Sequence, residues 1–170
     1  KEILMRIDIG TTEGQLELMD MDEKFQHTLE QLYTLIEETT AMNTIQPIAI
    51  ISAELSDSPS NEHRTESLAT ELAALRIPNV RSVGAYAGNV EASFVIPLSM
   101  EVTEAMVANL AREYGQESIL IVDANSEAHL VFLELGISEH LGKFAEMPSD
   151  QARRQTGYTL VNDKYYSILY

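Results

Sequence analysis

Residues 80–97 read VRSVGAYAGNVEASFVIP, and the folding of this stretch decides much of the rest. Val80 to Ala85 and Ala92 to Ile96 are short segments of strand-forming residues. Tyr86 to Glu91 lie between them, with Gly84 and Gly88 at either side of Tyr86. Two readings follow. In one, the segment is a hairpin loop between two core strands, with Glu91 turned to water. In the other, the small residues let the backbone approach a ligand, because glycine has no Cβ to clash. Glu91, placed where the loop enters a strand, then grips a small cation with help from the aromatic loop.

Upstream of this stretch, Pro47 opens a strand over Ile48 to Ala53, and the Ser-Asp-Ser-Pro-Ser cluster at 56–60 breaks it. Ser60 is placed to cap a helix from Asn61 to about Leu75, with Leu68, Leu72 and Leu75 on its inner face. Downstream, Thr103 caps a helix whose stripe is Met106, Val107, Leu110, Ala111 and Tyr114, and Gly115 stops it. Ser118 to Val122 reads as a buried strand, Asp123 to Ser126 as a turn, and Ala128 to Leu133 as a returning strand. A short extended piece follows near Phe144. Tyr158 to Val161 and Tyr165 to Leu169 flank a turn at Asn162-Asp163, the signature of a closing hairpin.

From Pro47 the order is β-α-β-β-α-β-β, a split βαβ (ferredoxin-like) pattern with strands added. The expected class is α+β, an antiparallel-rich sheet with helices packed on one face. Residues 1–46 form an arm ahead of this domain, which spans 47–170. Within the arm, alternation from Ile3 to Ile9 predicts a short strand. Met21, Phe25, Leu29, Leu32 and Ile36 predict an amphipathic helix begun by Asp20 and Glu23.

Among 170 residues there are 11 Lys and Arg against 27 Asp and Glu, a formal charge of −16. Such a surface repels nucleic acid and anionic membrane and attracts cations. The chain has no cysteine, which excludes disulfides and thiol catalysis. Its four histidines show no metal-ligand spacing. No apolar run approaches a bilayer span, and KEILMRIDIG lacks the apolar centre of a signal peptide, so the expected location is the cytoplasm. There is no G-x-S-x-G elbow, no Walker loop and no H-E-x-x-H.

Four segments, taken in order, carry a resemblance. Strand Ile48 to Ala53 ends in Ile-Ser-Ala. Asn61-Glu62-His63-Arg64 opens a helix that closes on Leu75-Arg76. The Gly-Ala-Tyr loop and Glu91 come next. Last is Gly142-Lys143-Phe144-Ala145-Glu146-Met147-Pro148, followed by Thr156-Gly157-Tyr158-Thr159-Leu160. Over residues 47 to 169 this set resembles the S-adenosylmethionine (SAM) lyases of T-odd coliphages, formerly called SAM hydrolases.

The resemblance implies a phage-encoded enzyme working in the bacterial host cytoplasm. It would degrade SAM to 5′-methylthioadenosine and homoserine lactone, as a homotrimer with sites between subunits. That chemistry needs no metal and no cofactor, because the sulfonium is already a good leaving group and the substrate's own carboxylate attacks. On this view Glu91 holds the substrate ammonium and Tyr86 or Phe94 faces the sulfonium. Ser52, Asn61 and Arg64 complete the substrate contacts. Each also has a plainer role: Ser52 ends a strand, Asn61 caps, and Arg64 is a surface residue on a first helix turn. A non-catalytic small-ligand-binding regulatory module and an acidic DNA-mimic anti-restriction protein are the alternatives that the same residues leave open.

Overall fold

A computed structural model describes residues 26–32, 34 and 46–169. The strand expected from Ile3 to Ile9 lies outside the described residues. Of the helix expected from Asp20 to Ile36, residues 26–32 and 34 are helical, and Thr28 and Leu32 are buried.

The described strands are β1 (Ile48–Ile51), β2 (Val80–Tyr86), β3 (Asn89–Pro97), β4 (Ser118–Val122), β5 (Glu127–Phe132), β6 (Ile137–Met147), β7 (Gly157–Val161) and β8 (Lys164–Leu169). Helix α1 (Asn61–Ala74) joins β1 to β2, and α2 (Glu104–Glu113) joins β3 to β4. A single turn, α3 (Ser149–Ala152), precedes β7. The strands close into a barrel in the order β1-β3-β2-β7-β8-β6-β5-β4, with every neighbouring pair antiparallel.

This corrects the expected fold class. The molecule is not an α+β, ferredoxin-like sheet with helices layered on it; it is a closed eight-stranded antiparallel β-barrel with few helices. The last four strands are the reason. β2 pairs with β7 and β4 with β5, so neither edge of the first four strands remains open. Closure satisfies the backbone groups that an open edge would leave unpaired. The short piece expected near Phe144 is the eleven-residue β6. Its first half pairs with β5 and its second with β8, which turns the corner of the barrel. Gly142 sits at that corner with φ +130°, and a Cβ there would lie 2.8 Å from the Leu169 carbonyl oxygen. Only glycine fits.

Two buried clusters explain why three strands are continuously apolar. Ile48, Val80, Val95, Val122, Ala128, Phe144, Val161 and Tyr166 fill the barrel. Ala49, Ile51, Phe94, Ile96, Ile119 and Ile121 point outward and are covered by Leu68 and Leu72 of α1 and by Val107, Leu110 and Ala111 of α2. Consecutive strand residues face opposite sides. β1, β3 and β4 are therefore apolar on both sides, one toward the barrel and one toward the helices. Thr103 caps α2, its Oγ1 accepting from the Met106 N–H at 3.3 Å. Tyr114 donates to Glu71 at 2.8 Å and ties α2 to α1. Met106, expected in the stripe of α2, is 44% exposed.

Candidate functional site

The 80–97 stretch is a tight hairpin. Gly84 lies opposite Glu91 and Tyr86 opposite Asn89. The two-residue turn is Ala87-Gly88, both at positive φ (49° and 84°), the twist that suits a hairpin. Glu91 is thus a strand residue of β3, with Ser93 and Val95 on its own side. Val95 faces the barrel interior, so alternation aims Ser93 and Glu91 inward as well. Their partners on β2, Ser82 and Gly84, share that side. Thr159, opposite Gly84 on β7, does too.

These residues make a polar mouth above the apolar barrel interior. Ser82 and Ser93 are buried and hydrogen-bonded to each other at 2.8 Å. Ser52, just past β1, donates to the Ala92 carbonyl at 2.8 Å. The Glu54 N–H returns to the Ser52 hydroxyl at 3.0 Å. Glu54 then turns its carboxylate to β3, where Oε2 accepts the Ala92 N–H. The β1–β3 register runs from Ile48↔Pro97 to Ile51↔Phe94; continued three residues, it sets Glu54 opposite Glu91. The Glu91 carboxyl, open to water on one side, is held above its ordinary value of 4.5, by desolvation first and by the Glu54 charge second.

Tyr86 is a diagonal neighbour of Glu91 on the same side of the hairpin. It is 70% exposed. Its ring lies over Gly157, where an added Cβ would come within 3.2 Å of the Tyr86 Cδ2. Phe94 has the opposite parity. Its ring is 1% exposed, packed among the residues under the helices, with the Arg81 guanidinium carbon 5.6 Å from its centroid.

Asn61 and Arg64 lie behind the mouth rather than in it. Asn61 accepts from the Leu55 N–H at 2.8 Å and donates to the Leu55 carbonyl at 2.7 Å. Arg64 donates through Nε to the Ala53 carbonyl at 2.7 Å and through a terminal nitrogen to the Tyr114 carbonyl. Gln116 donates to the Glu54 carbonyl at 2.9 Å. Together they brace the backbone that carries Glu54. The structure therefore gathers Ser52, Tyr86 and Glu91, sets Asn61 and Arg64 as supports, and encloses Phe94. No sequence motif marks Glu54. Its signal was parity: Ser52 and Glu54 continue the inward side of β1.

A separate concavity of about 330 Å³ lies along β4, β5 and the start of β6, lined by Glu104, Asp123, His129, Val131 and Ile137 among others. His129 Nε2 is 3.1 Å from Asp123 Oδ2, and His140 Nε2 is 2.7 Å from Glu127 Oε2. Burial alone would raise the Asp123 carboxyl, but hydrogen bonds from Glu127, His129 and Asn125 bring it below its ordinary value. Among the described residues, no group of three His, Cys, Asp or Glu side chains is arranged to hold a metal. No described helix is long and apolar enough to cross a membrane.

The model of the S-Adenosylmethionine lyase family matches residues 49–169, a span that holds the whole barrel beyond its first residue. No curated protein matches the chain.

Proposed function

Because the chain belongs to the S-adenosylmethionine lyase family, we propose that it converts SAM to 5′-methylthioadenosine and homoserine lactone at the polar mouth of the barrel. The family makes it a lyase acting on SAM; the products, the residues and the setting are our reading. The observation that carries it is Glu91, an inward-facing carboxylate at the rim, paired with a second acid and diagonal to an exposed tyrosine.

The reaction balances without water. A carboxylate oxygen of the substrate attacks its own γ-carbon. The C–O bond forms as the γ-carbon–sulfur bond breaks, and the electron pair of that bond goes to sulfur. The sulfonium becomes a neutral thioether, and the ammonium stays on the lactone. What the protein supplies is conformation. A well-oriented intramolecular reaction gains ~7–11 kcal/mol over its bimolecular equivalent. Glu91 accepts hydrogen bonds from the ammonium and folds the methionine tail so that the carboxylate reaches the γ-carbon. Tyr86 presents a ring face to the sulfonium, a contact of ~0.5–2 kcal/mol. With Phe94 enclosed, the aromatic role falls to Tyr86. Ser52, Asn61 and Arg64 contribute by holding the backbone at Ala92 and at 53–55.

The proposal includes a homotrimer with the mouth at its interface. Tyr86 on the side of Glu91, and Val90 and Val83 on the other face of the same hairpin, are exposed at 70%, 64% and 37%, and further subunits would cover them. In its setting the enzyme would be phage-encoded, act in the bacterial cytoplasm and remove the host's methyl donor, blunting methylation and restriction.

Incubation of purified protein with SAM, with chelator present, tests this. Mass spectrometry should find methylthioadenosine and homoserine lactone. Intact SAM after long incubation with folded protein would instead favour a binding module. Binding to a DNA-processing enzyme that weakens steeply with salt would favour an acidic decoy.

A further inference from the structure

We propose that Glu54 is a specificity-determining residue that lets the site distinguish a sulfonium substrate from a thioether. The proposal rests on the reading of Glu91 above and adds a second charge to it.

Glu54 does not behave as a loose surface acid. One carboxylate oxygen accepts the Ala92 N–H. Its own N–H and carbonyl are held by Ser52 and Gln116. The residues on either side are clamped by Arg64 at Ala53 and Asn61 at Leu55. This fixes a negative charge opposite Glu91, on the inward side of the rim. Two carboxylates set this way repel, and the Glu91 carboxyl is raised by burial first and by this repulsion second. A fold tolerates such repulsion more readily when a ligand relieves it.

SAM carries two positive groups on its methionine side, an ammonium and a sulfonium, a few bonds apart. One acid cannot neutralise both. With Glu91 on the ammonium, Glu54 is the remaining charge for the sulfonium. The bond that breaks removes that positive charge. Glu54 therefore attracts the substrate more strongly than the transition state, and more strongly than the thioether product. It raises affinity, discriminates against thioethers and lets methylthioadenosine leave, while it slows the chemical step slightly.

The test is Glu54→Gln, whose amide oxygen can still accept the Ala92 N–H. The readouts are the kcat and KM for SAM and the inhibition constant of S-adenosylhomocysteine, which keeps the ammonium and carboxylate but has a neutral sulfur. KM for SAM should rise about 10-fold, the size of a lost charge-assisted contact. kcat should rise about 2-fold as ground-state stabilisation is lost. Inhibition by S-adenosylhomocysteine should stay within about 2-fold. Equal weakening of SAM and S-adenosylhomocysteine would overturn the proposal, as would an unchanged KM. Glu54→Asp keeps the charge and should keep most of the preference; loss of the preference there, as in Gln, also overturns it. Failure of the Glu91 reading is separately visible, as wild-type turnover in Glu91→Gln.

Discussion

The two halves of β3 are built on opposite rules. From Phe94 to Pro97 every residue is buried, with the barrel on one side and the two helices on the other. From Asn89 to Glu91 every residue is exposed. Backbone pairing is continuous through both halves. What differs is the cover: α1 and α2 lie over one end of the strand and leave the other bare. The covered half holds the fold together through apolar burial, at roughly 25 cal/mol per Å² removed from water. The bare half carries Glu91, which the register sets opposite Glu54 of the β1 side, an arrangement that works against stability. A rigid, doubly covered wall lets the polar rim keep its geometry against that repulsion.

Glu91→Gln should separate the two halves most sharply. It keeps shape and removes the charge. Turnover should fall about 10³-fold, from a lost charge-assisted contact and a misoriented substrate tail. Stability should move the other way. The folded-state value of Glu91 is raised, so the folded protein binds this proton more tightly than the unfolded chain. Wild-type stability is therefore eroded as pH rises through the raised value, and the glutamine variant escapes that loss. Thermal melts should show the variant more stable at neutral pH, with the gap closing in acid. A lower Tm at neutral pH, or turnover at the wild-type rate, would break the contrast.

On the covered side, Leu68→Ala should do the reverse. Leu68 is fully buried between α1 and the barrel wall. Its truncation should cost ~2–5 kcal/mol by denaturant unfolding. The KM for SAM, measured where the protein is folded, should stay near wild type. A large change in KM would mean that the wall and the rim are not independent.

Much of the covered half was legible in the sequence. The runs Ile48 to Ile51, Phe94 to Ile96 and Ser118 to Val122 are apolar because both of their sides are buried, and they read as core strands. Asn162-Asp163 read as a hairpin turn, and both residues have positive φ. Closure of the barrel was not legible. It depends on β2 meeting β7 and on β6 meeting β8, contacts far apart in the chain. β6 also hides its nature, since Glu139, His140, Lys143 and Glu146 break any apolar pattern. At the rim, Glu91 stood out as the lone acid of a small-residue hairpin. Glu54 looks like the start of a loop, because Glu91, the residue it faces, is assigned by register and not by any local motif.

Gly84 gives a gentler probe of the rim. A Cβ there would meet Glu91 Cγ and Ser93 Oγ at 3.7 Å each, an ordinary contact. Gly84→Ala should therefore fold, and removing an in-strand glycine should stabilise it by about 0.5–1 kcal/mol. The added methyl points into the mouth, beside Glu91. KM for SAM should rise about 5-fold, since one carbon in a small pocket is worth ~1–3 kcal/mol. An unchanged KM would place the substrate elsewhere.

The smallest expected effect tests Tyr86, and it needs a pair of variants. Tyr86→Phe removes only the hydroxyl. The ring would still lie over Gly157 and still offer its face to a cation. Turnover and KM should stay within about 2-fold of wild type. Tyr86→Leu removes the face while leaving an apolar side chain on the same strand position. If the ring meets the sulfonium, Leu should raise the KM for SAM by about 3- to 10-fold and leave inhibition by S-adenosylhomocysteine, whose sulfur is neutral, nearly unchanged. The ring face is a weaker handle on that charge than a carboxylate, so the shift should be no larger than that of Glu54→Gln. Wild-type behaviour of both Phe and Leu would make Tyr86 a packing residue of the exposed hairpin tip. A loss with Phe as large as with Leu would move its role from the ring to the hydroxyl.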